Sequence, residues 1–440
     1  MPKPKPDRRP RLARLALLGG ALTLAAAAGA SGPEAPAGQT LGPDVTVIQL
    51  TDINNNGVAA GIRGYSIGTT SCNVGSQPVA WCNSLAGCGG GLLAPEDHPV
   101  IAQNLYRLKD GRFDQIGMSW LKHGFLSTNS PSSACLPGVG CQSPPLGGDQ
   151  LGVGCTDTYG AGLNGSRPLG MRSEVDAANG EFPYPYTQQG FSGVDQWAQV
   201  AEADLDPALN PGALYYAEGH YVTADDAHFG NGFNNASYAP VTVSPGTYDL
   251  FLGATVREMA AIEAWPLADP AVELVPVDVA VAGAPAQRFH VARKVTEVAP
   301  GSWHYEYAVH NLNSDHSARR FAVTLGGAAA VTGLGFKDIE HHSGEPYVGT
   351  DWVGSFDGAT GTVAWETDTY ATDPDANALR WSTLFNFWFD ADTGPDAITR
   401  HVLTLFKPGT PCRVTFSYAA EFVFADDFET GDLCSWSSQN

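Results

Sequence analysis

Three observations in this 440-residue sequence predict a mainly β protein, with β-sandwich-type domains and long disulfide-stapled loops. Short runs of Val, Ile, Thr and aromatic residues recur between turn residues, most regularly beyond residue 248. Gly (51) and Pro (31) are abundant but follow no collagen-like period, so they separate strands. Eight cysteines, an even number, all lie beyond a leader-like N-terminus, which suits oxidative cross-linking. With 43% hydrophobic and 16% charged residues the composition is globular, and the length allows two or three domains.

Residues 1–30 are read as a signal peptide. Lys3, Lys5, Arg8, Arg9, Arg11 and Arg14 form a basic start, and Leu15 to Ala28 is apolar. Ala28-Gly29-Ala30 supplies the small-x-small pattern of a cleavage site before Ser31. The apolar stretch is too short to span a bilayer and no longer one follows, so no membrane span is expected. Cleavage leaves a formal balance of −27 and five scattered lysines. Such a surface has no basic patch, which excludes nucleic acid as a partner.

Residues 31–43, rich in Gly, Pro and Ala, read as a linker. Residues 44–195 read as a Cys-rich β region. Asp44 to Leu50 and Ile62 to Ile67 are strands around an Asn-rich turn at Asp52–Gly57. Asn104–Leu108 and Phe113–Trp120 flank Lys109-Asp110-Gly111-Arg112, a hairpin signal. Residues 196–410 read as a β-sandwich domain. Its strands are Ala213–Val222, Tyr248–Val256, Glu273–Val281, Gln287–Val298, Ser302–Asn311, Arg320–Leu325, Val331–Glu340, Gly361–Glu366, Leu379–Phe389 and Ile398–Lys407. Arg257–Ala264 competes as a helix, ended by Pro266. In Trp303 to His310 the alternation is strict. Trp303, Tyr305, Tyr307 and Val309 form a core face, and His304, Glu306, Ala308 and His310 an outward polar face. Residues 411–440 read as an acidic tail.

Six cysteines cluster between Cys72 and Cys155, where 15 pairings are open. Cys412 and Cys434 stand apart and are expected to bond to each other, tying the tail back. Zinc binding by these cysteines is disfavoured. The gaps Cys82/Cys88 and Cys135/Cys141 hold five residues, wider than zinc sites use.

The densest set of candidate metal ligands is Asp338, His341, His342 and Glu345, with Glu340 and Asp351 nearby. Imidazoles with carboxylates suit a divalent metal such as Zn²⁺, and an open position would activate water. His304 and Glu306 are two residues apart on one strand face, close enough to share an ion. Asp52 to Gly57 matches the opening of a Ca²⁺ loop, but Arg63 stands where a bidentate Glu is needed, so a turn is preferred. Ser119, His123 and Asp157 supply hydrolase residue types without a G-x-S-x-G element. Trp352, Trp365 and Trp381, with Trp388 and Tyr370, are candidate ligand-binding rings for stacking on sugars. The Asn-rich segment 231–238 could add polar contacts.

The segments HPVIAQNLYRLKDGRFDQIGMSWLKHGF (98–125), LGVGCTDTYGAGLNG (151–165), YEYAVHNLNS (305–314), HSGEPYVGTDW (342–352) and NALRWSTLFNFWFD (377–390) resemble an uncharacterised family of exported bacterial proteins. The resemblance spans nearly all of the chain beyond the signal peptide. It implies one continuous architecture and an extracytoplasmic address, and it carries no activity. The tail from Phe424 to Leu433, with Trp436, resembles short acidic endings of secreted bacterial proteins.

The expected function is therefore that of an exported extracellular, periplasmic or surface protein that binds polysaccharide or cell-surface material without catalysis. The alternative is a secreted metal-assisted hydrolase built on Asp338, His341 and His342, with Glu345 or Glu306 as ligand or base. A divalent metal, Ca²⁺ or Zn²⁺, is the cofactor class either reading would admit.

Overall fold

The computed structural model describes residues 39–84, 87–166, 168–188, 193–326, 330–418 and 423–424. Residues 1–38, which include the expected signal peptide, and residues 425–440, including Cys434, lie outside the described residues. The described chain is mostly strand, arranged in three large sheets and a small two-stranded one.

The first sheet has eleven strands, from Val45–Ala59 to Leu250–Leu252. It therefore continues past residue 195, and residues 198–252 belong with the Cys-rich region rather than with the sandwich. The break expected at 195/196 fails because Ala198–Ala201 pairs with both Ile62–Asn73 and Arg112–Met118 in the middle of this sheet. The hairpin signal is realised: Val100–Lys109 and Arg112–Met118 pair, and Asp110 (φ 51°) and Gly111 (φ 82°) take the left-handed conformations of its tight turn. The turn expected at Asp52–Gly57 is instead part of the first strand, which runs to Ala59 through three register shifts. Asp52 accepts the Ala161 amide at 3.0 Å and Asn55 donates to Asp249 at 2.8 Å, so this run holds neighbouring segments.

The middle sheet has five strands, Val272–Val279, Gln287–Ala299, Ser302–Asn311, Thr383–Ala391 and Val331–Lys337, in that spatial order. The outer sheet is built on Ala318–Leu325, Thr362–Glu366, Val353–Asp357 and Ile398–Leu405. It extends through Arg413–Phe416 and Val423–Phe424, so this part of the expected tail is strand. Tyr305, Tyr307, Val309, Phe385, Phe387 and Phe389 of the middle sheet pack on Phe321, Val323, Val363, Trp365 and Leu403 of the outer one. That is the sandwich the alternation predicts.

The opposite face of the middle sheet is not exposed. Ala292, Ala308 and Leu384 pack with Tyr106, Phe113, Tyr216 and Tyr238 of the first sheet and with Trp265. Glu306 (5% exposed) and His310 (1%) are buried there, which corrects the outward reading of their face. Arg112 of the first sheet grips Glu306 with two 2.8 Å hydrogen bonds and lies 3.6 Å over the Trp388 ring. The molecule thus has three sheet layers, with the middle sheet covered on both sides. Pro266 lies within the helix Ala264–Ala268 rather than ending one. Its missing N–H costs nothing in the first turn.

Three disulfides select one pairing from the fifteen: Cys72–Cys135, Cys82–Cys88 and Cys141–Cys155. They fasten the loops beside the Ile62–Asn73 strand. Cys412 is also disulfide-bonded, and its expected partner lies outside the described residues. No helix among the described residues is long and apolar enough to cross a membrane.

Candidate functional site

The edge strand Val331–Lys337 ends where Lys337 reaches across to Asp114 of the first sheet and forms an ion pair. Gly335 lets this strand approach Trp388; a Cβ there would sit 1.9 Å from the indole. Beyond Lys337 the chain leaves the sheet and runs as an irregular segment, Asp338 to His342, along the first sheet. A cleft of about 420 Å³ opens between them. Ile116 and Met118 line it from the first sheet. Phe336, Asp338, Glu340, His341, His342 and Asp351 line it from the second half.

Asn377, fully buried, organises this segment. Its Nδ2 donates to Asp338 Oδ2 at 2.5 Å and to the Thr350 carbonyl at 2.9 Å. Its Oδ1 accepts from His341 Nε2 at 3.0 Å. Asp338 and His341 are thereby linked through one amide. Burial raises the Asp338 carboxyl to about 6, with Asp351 and Glu340 adding to the rise against the opposing Asn377 hydrogen bond. Burial, aided by the Arg380 charge, lowers His341 to about 4. His341 is neutral at pH 7, with its Nε2 proton directed to Asn377.

His342 lines the same cleft but directs Nε2 to the Trp197 carbonyl at 2.7 Å. Burial lowers it to about 4 as well. Glu345 points elsewhere. It accepts the Arg172 and Ser173 amides at 2.6 and 3.1 Å and lines a second, small cavity with Arg172, Arg380 and Trp381, which His341 also lines. Asp338, His341 and His342 thus share the cleft, while Glu345 shares only the smaller cavity, with His341. Both Nε2 atoms are committed to protein oxygens. Among the described residues no three His, Cys, Asp or Glu side chains are grouped to hold a metal ion. His304 does approach Glu306, at 3.6 Å, and bonds Asp390 at 2.7 Å, but Arg112 occupies the Glu306 carboxylate.

Three of the rings read as a sugar platform are core residues instead, while Tyr370 is exposed. Trp352, Trp365 and Trp381 are 3%, 1% and 5% exposed. Their large apolar area is buried in the sandwich or against the loops, and the Trp381 indole donates to the Arg172 carbonyl at 3.1 Å. Ser119, His123 and Asp157 do not converge. His123 bonds His98 at 2.7 Å, while Asp157 accepts from Trp81 and Thr128.

Sequence reasoning missed Asn377 and Arg172. Arg172, 5% exposed, donates to the Ser119 and Gln103 carbonyls and to Asn104 Oδ1, joining loop to sheet beside the cleft. No protein-family model matches the chain, and no curated protein is significantly similar to it.

Proposed function

We propose that this is an exported binding protein, acting outside the cytoplasm, whose ligand is a hydroxyl-rich glycan held in the cleft beside Asp338. The observation that carries this reading is the chemistry of the cleft wall. Glu340 and Asp351 line it without a hydrogen bond or ion pair to any described residue, in a lining that also holds the apolar Ile116, Met118 and Phe336 and the polar Gln115 and Gln199. Carboxylates accept hydrogen bonds from paired hydroxyls, and apolar lining residues suit the C–H face of a sugar ring. Three disulfides and the leader-like N-terminus support the extracytoplasmic address. Calorimetry of the purified chain against a panel of polysaccharides tests the reading. Saturable binding that weakens in Glu340→Gln and Asp351→Asn is expected. Binding unchanged in both variants, or no binding across the panel, refutes it.

Asp338 favours a second reading, hydrolysis of the bound glycan. A buried carboxyl near 6 holds a proton close to neutral pH and can pass it to a leaving oxygen. Release of reducing ends, lost in Asp338→Asn while binding persists, would select it. The metal-assisted version has less support, because the His341 and His342 Nε2 atoms are already bonded to protein.

A further inference from the structure

Away from the cleft, the Asn-rich segment 231–238 meets the start of the first strand. Asp44 and Asp226, the latter on the short helix Ala224–Phe229, are both fully buried. Asp226 Oδ2 accepts the Val45 amide at 3.2 Å and Asn235 Nδ2 at 2.7 Å. Asp44 accepts Asn234 Nδ2 at 3.1 Å. Two adjacent asparagines therefore each clip one carboxylate, and the amide next to Asp44 contacts the other.

The atoms left over are chemically uniform. Asp226 Oδ1, Asn234 Oδ1 and Asn235 Oδ1 are buried acceptors without a donor among the described residues. The charges acting most strongly on Asp226 are those of Asp44 and Asp225, and Asp44 in turn feels Glu258. All are negative, and neither Asp44 nor Asp226 has a described salt-bridge partner. Buried like charges without a counter-charge are costly. A proton on Asp226 would cancel one charge but offer one donor to two amide oxygens. A water would supply donors but no charge. A hard cation answers both needs at once, because carboxylate and amide oxygens are the ligand types Ca²⁺ takes.

We propose that Asp44, Asp226, Asn234 and Asn235 form an oxygen-lined site for a divalent hard cation of the Ca²⁺ class. The ion would pin the start of the first strand to the 231–238 segment and so brace one end of the first sheet. This site is independent of the cleft and of the glycan reading.

Equilibrium dialysis of the chelator-stripped full chain against CaCl₂ in high salt, with circular dichroism to verify folding, tests it. The expected result is one saturable Ca²⁺ per chain and a higher melting temperature with Ca²⁺. The affinity should fall about tenfold or more in Asp226→Asn and in the milder Asn235→Ala. It should persist in Asp351→Asn, which alters the cleft carboxylates. The proposal is overturned if folded, stripped wild-type protein takes up no saturable Ca²⁺. It is equally overturned if uptake survives both the Asp226 and Asn235 substitutions, or disappears with Asp351→Asn. The wild-type measurement decides even if Asp226→Asn does not fold.

Discussion

Acid should loosen the joint between the first and middle sheets, and three histidines set the size of the effect. His220 projects from the first sheet, and His290 and His310 are cross-strand neighbours in the middle one. They are 1%, 6% and 1% exposed, and neither ring nitrogen of His220 or His310 has a partner among the described residues. Burial lowers His220 to about 4 and His310 to about 3; burial and the His310 ring lower His290 to about 3. The fold thus holds neutral imidazoles that the unfolded chain protonates near 6.5. Their contribution is complete above that value and is lost as pH falls below it. Between pH 7 and pH 5 each loses about 2 kcal/mol, so the three together lose about 6 kcal/mol, comparable to a whole domain's stability. Buried carboxyls raised to about 6, Asp176 and Asp338, work in the opposite direction. The test therefore compares proteins rather than reading one slope. Urea unfolding at pH 7, 6 and 5 should show that His290→Asn/His310→Asn loses about 4 kcal/mol less than wild type on acidification. Parallel pH profiles for the two proteins would refute the reasoning.

Other outcomes follow from the same structure. Asp338→Asn should stabilise the fold by about 1–2 kcal/mol at pH 8, where the half-buried carboxyl is ionised, after a discount for its partial exposure. The gain should shrink as pH falls below about 6 and vanish only below about pH 4, where the unfolded chain is protonated too; a constant difference between pH 8 and pH 4 contradicts the raised carboxyl. Asn377→Ala removes three buried hydrogen bonds and should cost about 3 kcal/mol in denaturant unfolding, with the His341 NMR signals shifted. Replacing both Cys72 and Cys135 by Ser opens a 63-residue loop and should cost about 4 kcal/mol in the chain-entropy model, read from the urea midpoint. Glu306→Gln should make a smaller hole in stability, about 2 kcal/mol, by weakening the Arg112 clamp between sheets.

Local chemistry made much of this fold legible. The strand Ser302–Asn311 has the bounds its alternation predicts, and Asp110-Gly111 forms the predicted turn, because strand period and left-handed turn residues are local properties. Pattern alone could not say what covers the second face of that strand. His304 to His310 looked solvent-facing because polar residues alternate there, yet another sheet lies on them and supplies Arg112. The tryptophans misled for a related reason. An indole near a turn has the same sequence signature whether it stacks on a sugar or fills a core, and only the packing of the outer sheet on the middle one decides. The Asp338–His342 run was recognisable as a cluster of chemistry, but Asn377, which orders it, is 39 residues from Asp338.

The amino-acid order alone determined the β character, the Asp110-Gly111 turn and the presence of a cross-linked cysteine region, since each depends on neighbours within a few residues. Which cysteines join, which faces are covered, and which carboxylates stand beside one another without a counter-charge were decided only by tertiary structure. Most of those are contacts between segments tens to hundreds of residues apart, and burial, which sets both the imidazole and the carboxyl protonation described above, exists only once the layers have closed.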